Sequence, residues 1–136
     1  MIPNIPPKQS WEALTSEPNT QLVDVRTDAE WNFVGLPDLT DAGKQPVLIS
    51  WQVYPTMQVH PSFTEALLKA GLTHDDHIYF ICRSGARSMA AAQAAAAAGF
   101  KHVFNVAEGF EGDVDARGHR GTNNGWKAAS LPWRQR

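Results

Sequence analysis

Four apolar runs organise the hydrophobic pattern of this chain: residues 21–25 (QLVDV), 47–50 (VLIS), 78–81 (IYFI) and 102–106 (HVFNV). They are short, rich in β-branched and aromatic residues, and show little of the alternation expected of a strand with one wet face. Such runs predict strands buried on both sides. Between them lie stretches with helical spacing. Residues 60–70 place Phe63, Leu67 and Ala70 on one face, with a Ser62-x-x-Glu65 capping box at the start and Gly71 as the stop. Residues 88–98 are almost entirely alanine, the strongest helix former, closed by Gly99. Thr27-x-x-Glu30 opens a further short helix through Trp31 and Phe33, and Ser10 is placed to cap another with Trp11 and Leu14 inward. Strands alternating with helices predict an α/β fold: a central parallel sheet between two helical layers.

The remaining segments read as connections. Residues 1–9 contain three prolines and are expected to form an extended arm. Residues 35–46 are a polar loop, and 111–124 a long excursion with Asp113, Asp115, Arg117, His119 and Arg120 among glycines. Such an excursion is cheap in chain entropy and reads as solvated surface, the alternative being that Arg117, His119 or Arg120 reaches over the site to meet an anionic donor. Trp126, Leu131 and Trp133 are expected as core and rim.

One stretch carries chemistry. The strand at 78–81 ends on Cys82, the only cysteine in 136 residues, followed by Arg83, Ser84, Gly85, Ala86, Arg87 and Ser88. A lone cysteine is commonly a core residue, but here polar and charged residues follow at once. A strand, a tight loop and a helix N-terminus bring peptide N–H groups and a positive dipole end around one side chain. With Arg83 and Arg87 nearby, that setting favours the thiolate, the alternative for Arg87 being that it points outward or pairs with an acid such as Glu30. Asp24, Arg26 and Glu30 lie at the end of another strand and read as structural support, through caps and an ion pair. The contiguous cluster His74, Asp75, Asp76 and His77 reads as a turn, because adjacent residues before a strand seldom converge on one metal ion. No metal set or cofactor motif is read from the sequence.

The loop CRSGARS resembles the active-site loop of the rhodanese-like sulfurtransferases. VDVRTDAEW (23–31) resembles that family's Asp-x-Arg then Glu segment, residues 107–110 its Leu-Glu-Gly-Gly stretch, and GWKAASLPW (125–133) its closing Trp-x-x-Ala-Gly-Leu-Pro pattern. The resemblance implies one rhodanese-like domain over residues 1–136, a five-stranded parallel sheet and a closing C-terminal helix after the 111–124 insertion. It implies Cys82 as nucleophile, residues 83–88 as the substrate-binding loop, and sulfur transfer through a Cys82 persulfide. The partners would be a small anionic donor such as thiosulfate and a cyanide, thiol or protein acceptor.

Loop length separates this chemistry from its relatives. Cysteine phosphatases place an arginine after Cys and five intervening residues, where its fork grips a phosphate. Here that position is Ser88, and Arg87 comes one residue early. The shorter ring suits a single sulfur atom, which disfavours phosphatase or arsenate reductase activity. A non-enzymatic persulfide carrier would present the same loop. A redox sensor would lack a resolving cysteine in the chain.

Composition adds little beyond exclusions. Hydrophobic residues make up 43% and charged residues 19%, with a net charge of −2, which gives no reason to expect nucleic-acid or membrane-surface binding. With one cysteine, no apolar leader and no membrane-length apolar run, the expected location is cytoplasmic.

Overall fold

A computed structural model describes residues 1–136. All four predicted strands form. They are β2 (Thr20–Asp24), β4 (Val47–Leu48), β7 (His77–Ile81) and β8 (His102–Val106). A fifth, β1 (Asn4–Ile5), completes one parallel sheet in the order β1-β8-β7-β2-β4.

The helices are α1 (Pro7–Ser16), α2 (Asp28–Phe33), α3 (Phe63–Lys69) and α4 (Ala86–Ala97). Their apolar faces divide the interior into two cores. Val23, Val25, Ile78 and Phe80 pack with Phe63 and Leu67 of α3 and with Ala91, Ala92 and Ala95 of α4. On the opposite face Leu22, Tyr79, Ile81 and Val106 pack with Leu14 of α1, Phe110, Trp126 and Leu131. Successive residues of β7 therefore serve opposite cores, which is why that strand shows no polar alternation. The alanines of α4 let that helix lie close on the sheet.

Several expectations are corrected. Residues 1–9 are an extended arm only in part: β1 pairs with β8, with the carbonyls of Pro3 and Ile5 accepting from the amides of Asn105 and Ala107, both at 2.9 Å, and residues 7–9 already belong to α1. Prolines lack a donor, and a sheet edge that presents carbonyls tolerates them. Helix α1 starts at Pro7, a residue preset for a first turn, so Ser10 lies inside the helix. Its hydroxyl donates back to Pro6 O at 3.0 Å. Thr27 and Glu30 form the expected capping box, whereas Ser62 makes no side-chain cap. Helix α4 begins two residues earlier than predicted, at Ala86.

Nor is there a closing helix. Residues 125–130 form hydrogen-bonded turns, with Ala129 N–H donating to Gly125 O at 2.9 Å. Gly125 before them and Ser130 at φ 61° leave room for one turn only. Two short ladders complete the fold. One pairs β3 (Leu36–Pro37) with β9 (Trp133–Arg134), and the other is a hairpin of β5 (Gln52–Val53) and β6 (Gln58–Val59).

Candidate active site

Cys82 follows the last residue of β7, at the carboxyl edge of the parallel sheet, where α/β folds gather their ligands. Cys82 packs in the α3–α4 core and is only 1% exposed. Yet it lines a pocket of about 600 Å³ together with Glu30, Val34, Gln52, Met57, Arg83, Ser84, Ala86, Arg87, Glu111 and Arg120. The residue is therefore all but enclosed, and a reagent can meet it only from the pocket.

The loop's carbonyls and amides are sorted. Cys82 O accepts from Phe110 N–H at 2.8 Å, and Arg83 O accepts from the amides of Glu111 and Gly112 at 3.0 and 3.1 Å. This clamp needs the backbone of residue 109 close by: a Cβ there would sit 2.5 Å from both carbonyl oxygens, so Gly109 is required. The amides are treated differently. Gly85 N–H donates to Cys82 Sγ at 3.1 Å. The amides of Arg83, Ser84, Ala86, Arg87 and Ser88 have no acceptor within the protein. Most buried or half-buried backbone donors are paired, so a run of unpaired ones at the start of α4 marks a cradle for an anion.

The two loop arginines part company. Arg87 forms a two-pronged ion pair with Glu30, at 2.7 and 2.9 Å. Of the two readings the sequence leaves open for Arg87, ligand-binding cation or partner of an acid such as Glu30, the structure shows the second. The Glu30 hydrogen bond and charge raise Arg87 further, against the effect of burial. Burial pushes Glu30 up, but the Arg87 hydrogen bond and charge, the Thr27 amide and the Arg26 charge outweigh it and hold the carboxyl below its ordinary value. Arg83 is exposed and has no carboxylate partner. The second unpaired cation comes from the insertion. Arg120 is half-buried, lines the pocket and is tethered by Nη1 donating to Gly112 O at 2.6 Å. Arg117 and His119 stay exposed, their amides bound to Asp115.

The support residues sit as expected at the strand end, though deeper. Asp24 and Arg26 form a fully buried pair at 2.6 Å, and the guanidinium also donates to Gly35 O and lies 4.3 Å from the centre of the Phe110 ring. It thereby braces the segment that clamps the Cys82 loop. Glu30 is more than support, since it lines the pocket itself. The 74–77 cluster disperses: His74 meets Phe100 edge-on, Asp75 pairs with Lys101, Asp76 caps Thr73 and His77 stacks on His102.

Sequence reading missed Asn105 and Asn4. Ser88 Oγ lies 3.2 Å from Cys82 Sγ and 2.5 Å from Asn105 Oδ1, and Asn105 Nδ2 donates to Asn4 Oδ1 and Gly85 O. An asparagine in an otherwise apolar strand was the one available signal.

Comparison with known proteins bears on the family and the fold. A family model described as the STR4 middle domain matches residues 5–136. The chain belongs to that family. It is 34% identical over 134 residues to the uncharacterized protein RP600 of Rickettsia prowazekii, covering 98% of each chain. It is 28% identical over 127 residues to the rhodanese-like domain-containing protein 4, chloroplastic, of Arabidopsis thaliana, covering 93% of this chain and 24% of that one. Among solved structures it resembles the crystal structure of Rv0390 from M. tuberculosis, at 44% identity and TM-score 0.87, covering 98% of this chain and 97% of the other. The fold is rhodanese-like. No helix is long and apolar enough to cross a membrane.

Proposed function

We propose that this protein is a sulfurtransferase that carries a sulfane sulfur on Cys82. The observation that carries the reading is the set of acceptor-less amides at Arg83, Ser84, Ala86, Arg87 and Ser88, directly after a cysteine that lines the pocket and already accepts from Gly85 N–H. In the first half-reaction the Cys82 thiolate attacks the outer sulfur of a donor such as thiosulfate. The donor's S–S bond breaks, sulfite leaves with the bonding pair, and Cys82 becomes a persulfide whose charge sits on the outer sulfur. The loop amides then have an anion of the right size to hold. In the second half-reaction cyanide or a thiolate attacks that outer sulfur, and the Cys82 thiolate departs as the leaving group. No net oxidant or reductant is needed, and the scheme is ping-pong.

Arg83 and Arg120 attract the anionic donor, since Arg87 is committed to Glu30. Phosphate chemistry is disfavoured: the position where a phosphatase needs its gripping arginine holds Ser88, which faces Cys82 Sγ and Asn105. A second reading, a persulfide carrier serving a protein partner, is favoured by the apolar residues around the mouth. Phe33 is 80% exposed beside pocket-lining Val34, and Tyr54 is 61% exposed on the hairpin that supplies Met57.

The test is turnover of thiosulfate and cyanide to thiocyanate, with a mass spectrum after thiosulfate alone. Wild type should gain one sulfur atom on Cys82 and turn over. Cys82→Ser should do neither. Persulfide formation without turnover on free donor would favour the carrier reading, and turnover retained in Cys82→Ser would remove this mechanism.

A further inference from the structure

Asn105 is a polar side chain, 3% exposed, in the middle of the sheet. Burial of an amide there is costly unless all its groups are bonded, and its partners fix its orientation. Gly85 O lies 3.2 Å away and can only accept, so the atom facing it is the Nδ2 donor. The other Nδ2 proton goes to Asn4 Oδ1 at 2.9 Å. Oδ1 is thereby turned to Ser88. The Ser88 hydroxyl has one proton and three neighbours able to take it: Asn105 Oδ1 at 2.5 Å, Cys82 Sγ at 3.2 Å and Gly85 O at 3.2 Å. The Asn105 contact is the shortest of the three and competes best for that proton.

We infer that Asn105 is a positioning residue that keeps the Ser88 proton away from the Cys82 sulfur. The inference rests on Cys82 being the reactive group and deepens the reading above. A thiolate that receives another direct hydrogen bond is easier to form but a poorer nucleophile, because nucleophilicity falls with basicity. With Ser88 diverted, the resting sulfur has one direct donor, Gly85 N–H. The remaining amides stay free for the outer sulfur that arrives later. Asn4 extends the device to β1, so the N-terminal strand helps hold the site.

The charged groups around the sulfur are Arg83, the Arg87–Glu30 pair, the Asp24–Arg26 pair, Glu108 after β8, and Glu111 and Arg120 across the pocket. None shares a hydrogen bond with Asn105 or Ser88, so they act alike in wild type and in variants of those two residues.

Because Cys82 is the only cysteine, the pH dependence of its alkylation by iodoacetamide reads this sulfur alone. Asn105→Ala should move the midpoint of that profile down by about one pH unit, the size of one hydrogen bond to a charged group. It should also slow the plateau rate at high pH. Adding Ser88→Ala to Asn105→Ala should reverse the downward shift, whereas Ser88→Ala alone should move the midpoint little. An unchanged or raised midpoint in Asn105→Ala, or a fall that persists without Ser88, overturns the inference. Should Asn105→Ala fail to fold in a thermal melt, exposed Asn4→Ala decides. A smaller downward shift supports the inference, and no shift or a rise overturns it. Failure of wild type to turn over thiosulfate would sink the sulfurtransferase reading and leave the alkylation result standing.

Discussion

The loop at 82–88 and the insertion at 111–124 are both glycine-bearing and rich in charge, yet they are held in place in different ways. The insertion is held largely by acceptors of its own. Asp115 accepts from the amides of Arg117 and His119 and from the Thr122 hydroxyl, and Gly121 N–H donates to Glu111 O at 2.7 Å. The Thr122 hydroxyl, then the two amides, hold the Asp115 carboxyl below its ordinary value. The Cys82 loop has its carbonyls fixed by residues 110–112 and its amides left open. The insertion is thus held from within by Asp115, whereas the Cys82 loop is fixed through its carbonyls by a neighbouring segment, which leaves the amides beside the cysteine free.

Two glycines in matched backbone conformations give the sharpest test of that contrast. Gly109 has φ 70° and Gly118 φ 80°, so alanine is conformationally strained at both. A Cβ at 118 meets nothing within 4 Å, while one at 109 would lie 2.5 Å from Cys82 O and Arg83 O. Gly118→Ala should cost about 1 kcal/mol and leave Cys82 chemistry unchanged. Gly109→Ala should cost about 3 kcal/mol or more and suppress persulfide formation, because the clamp must open. Thermal melts paired with persulfide mass spectra check both. Equal losses at the two sites would refute the clamp.

The ion pair that anchors the other side of the loop comes next in size. Glu30→Gln should lower stability by about 1–2 kcal/mol at pH 7, since both side chains are under 20% exposed and Arg87 loses its only carboxylate. The sign with pH follows from a folded-state value below the ordinary 4.5. The stabilisation is complete above about that pH and disappears as the pH falls through the lowered value. Wild type and Glu30→Gln should therefore differ in urea midpoint at pH 7 and converge near pH 3. A gap unchanged at low pH would mean that the pair contributes nothing through charge.

Much of this architecture is legible in the residues. The runs around Leu22 and Phe80 can only be strands buried on both faces, and Cys82 at the end of one of them locates the site. Loop length distinguishes the chemistry, because Ser88 stands where a phosphatase needs arginine. What is not legible depends on partners distant in sequence. Asn4 and Ile5 look like part of a proline-rich tail because their pairing residues are about a hundred positions away. Arg87 reads equally as a ligand-binding cation or as the partner of an acid, and only the fold decides for Glu30, 57 residues earlier. The closing helix implied by resemblance fails locally, where Gly125 and Ser130 confine the segment to turns. Asn105 looks like a flaw in a strand, and only its three partners give it a purpose.

The smallest expected effect separates the two ends of the insertion. Arg120 and Arg117 are three residues apart, but only Arg120 lines the pocket, tethered to Gly112 beside the clamp. An unpaired guanidinium near a dianionic donor acts before the chemical step and equally through it, so its removal should raise KM and spare kcat. Arg120→Ala should raise KM for thiosulfate about 3- to 10-fold, equivalent to about 1 kcal/mol, and Arg117→Ala should leave it unchanged. Because the attraction is electrostatic and partly exposed, the Arg120 effect should shrink when the assay is repeated near 1 M salt, where charges are screened within a few ångströms. A fall in kcat with KM constant would instead place Arg120 on the departing sulfite. A matched effect in Arg117→Ala would mean that the insertion contributes only a diffuse field and aims no side chain at the cysteine.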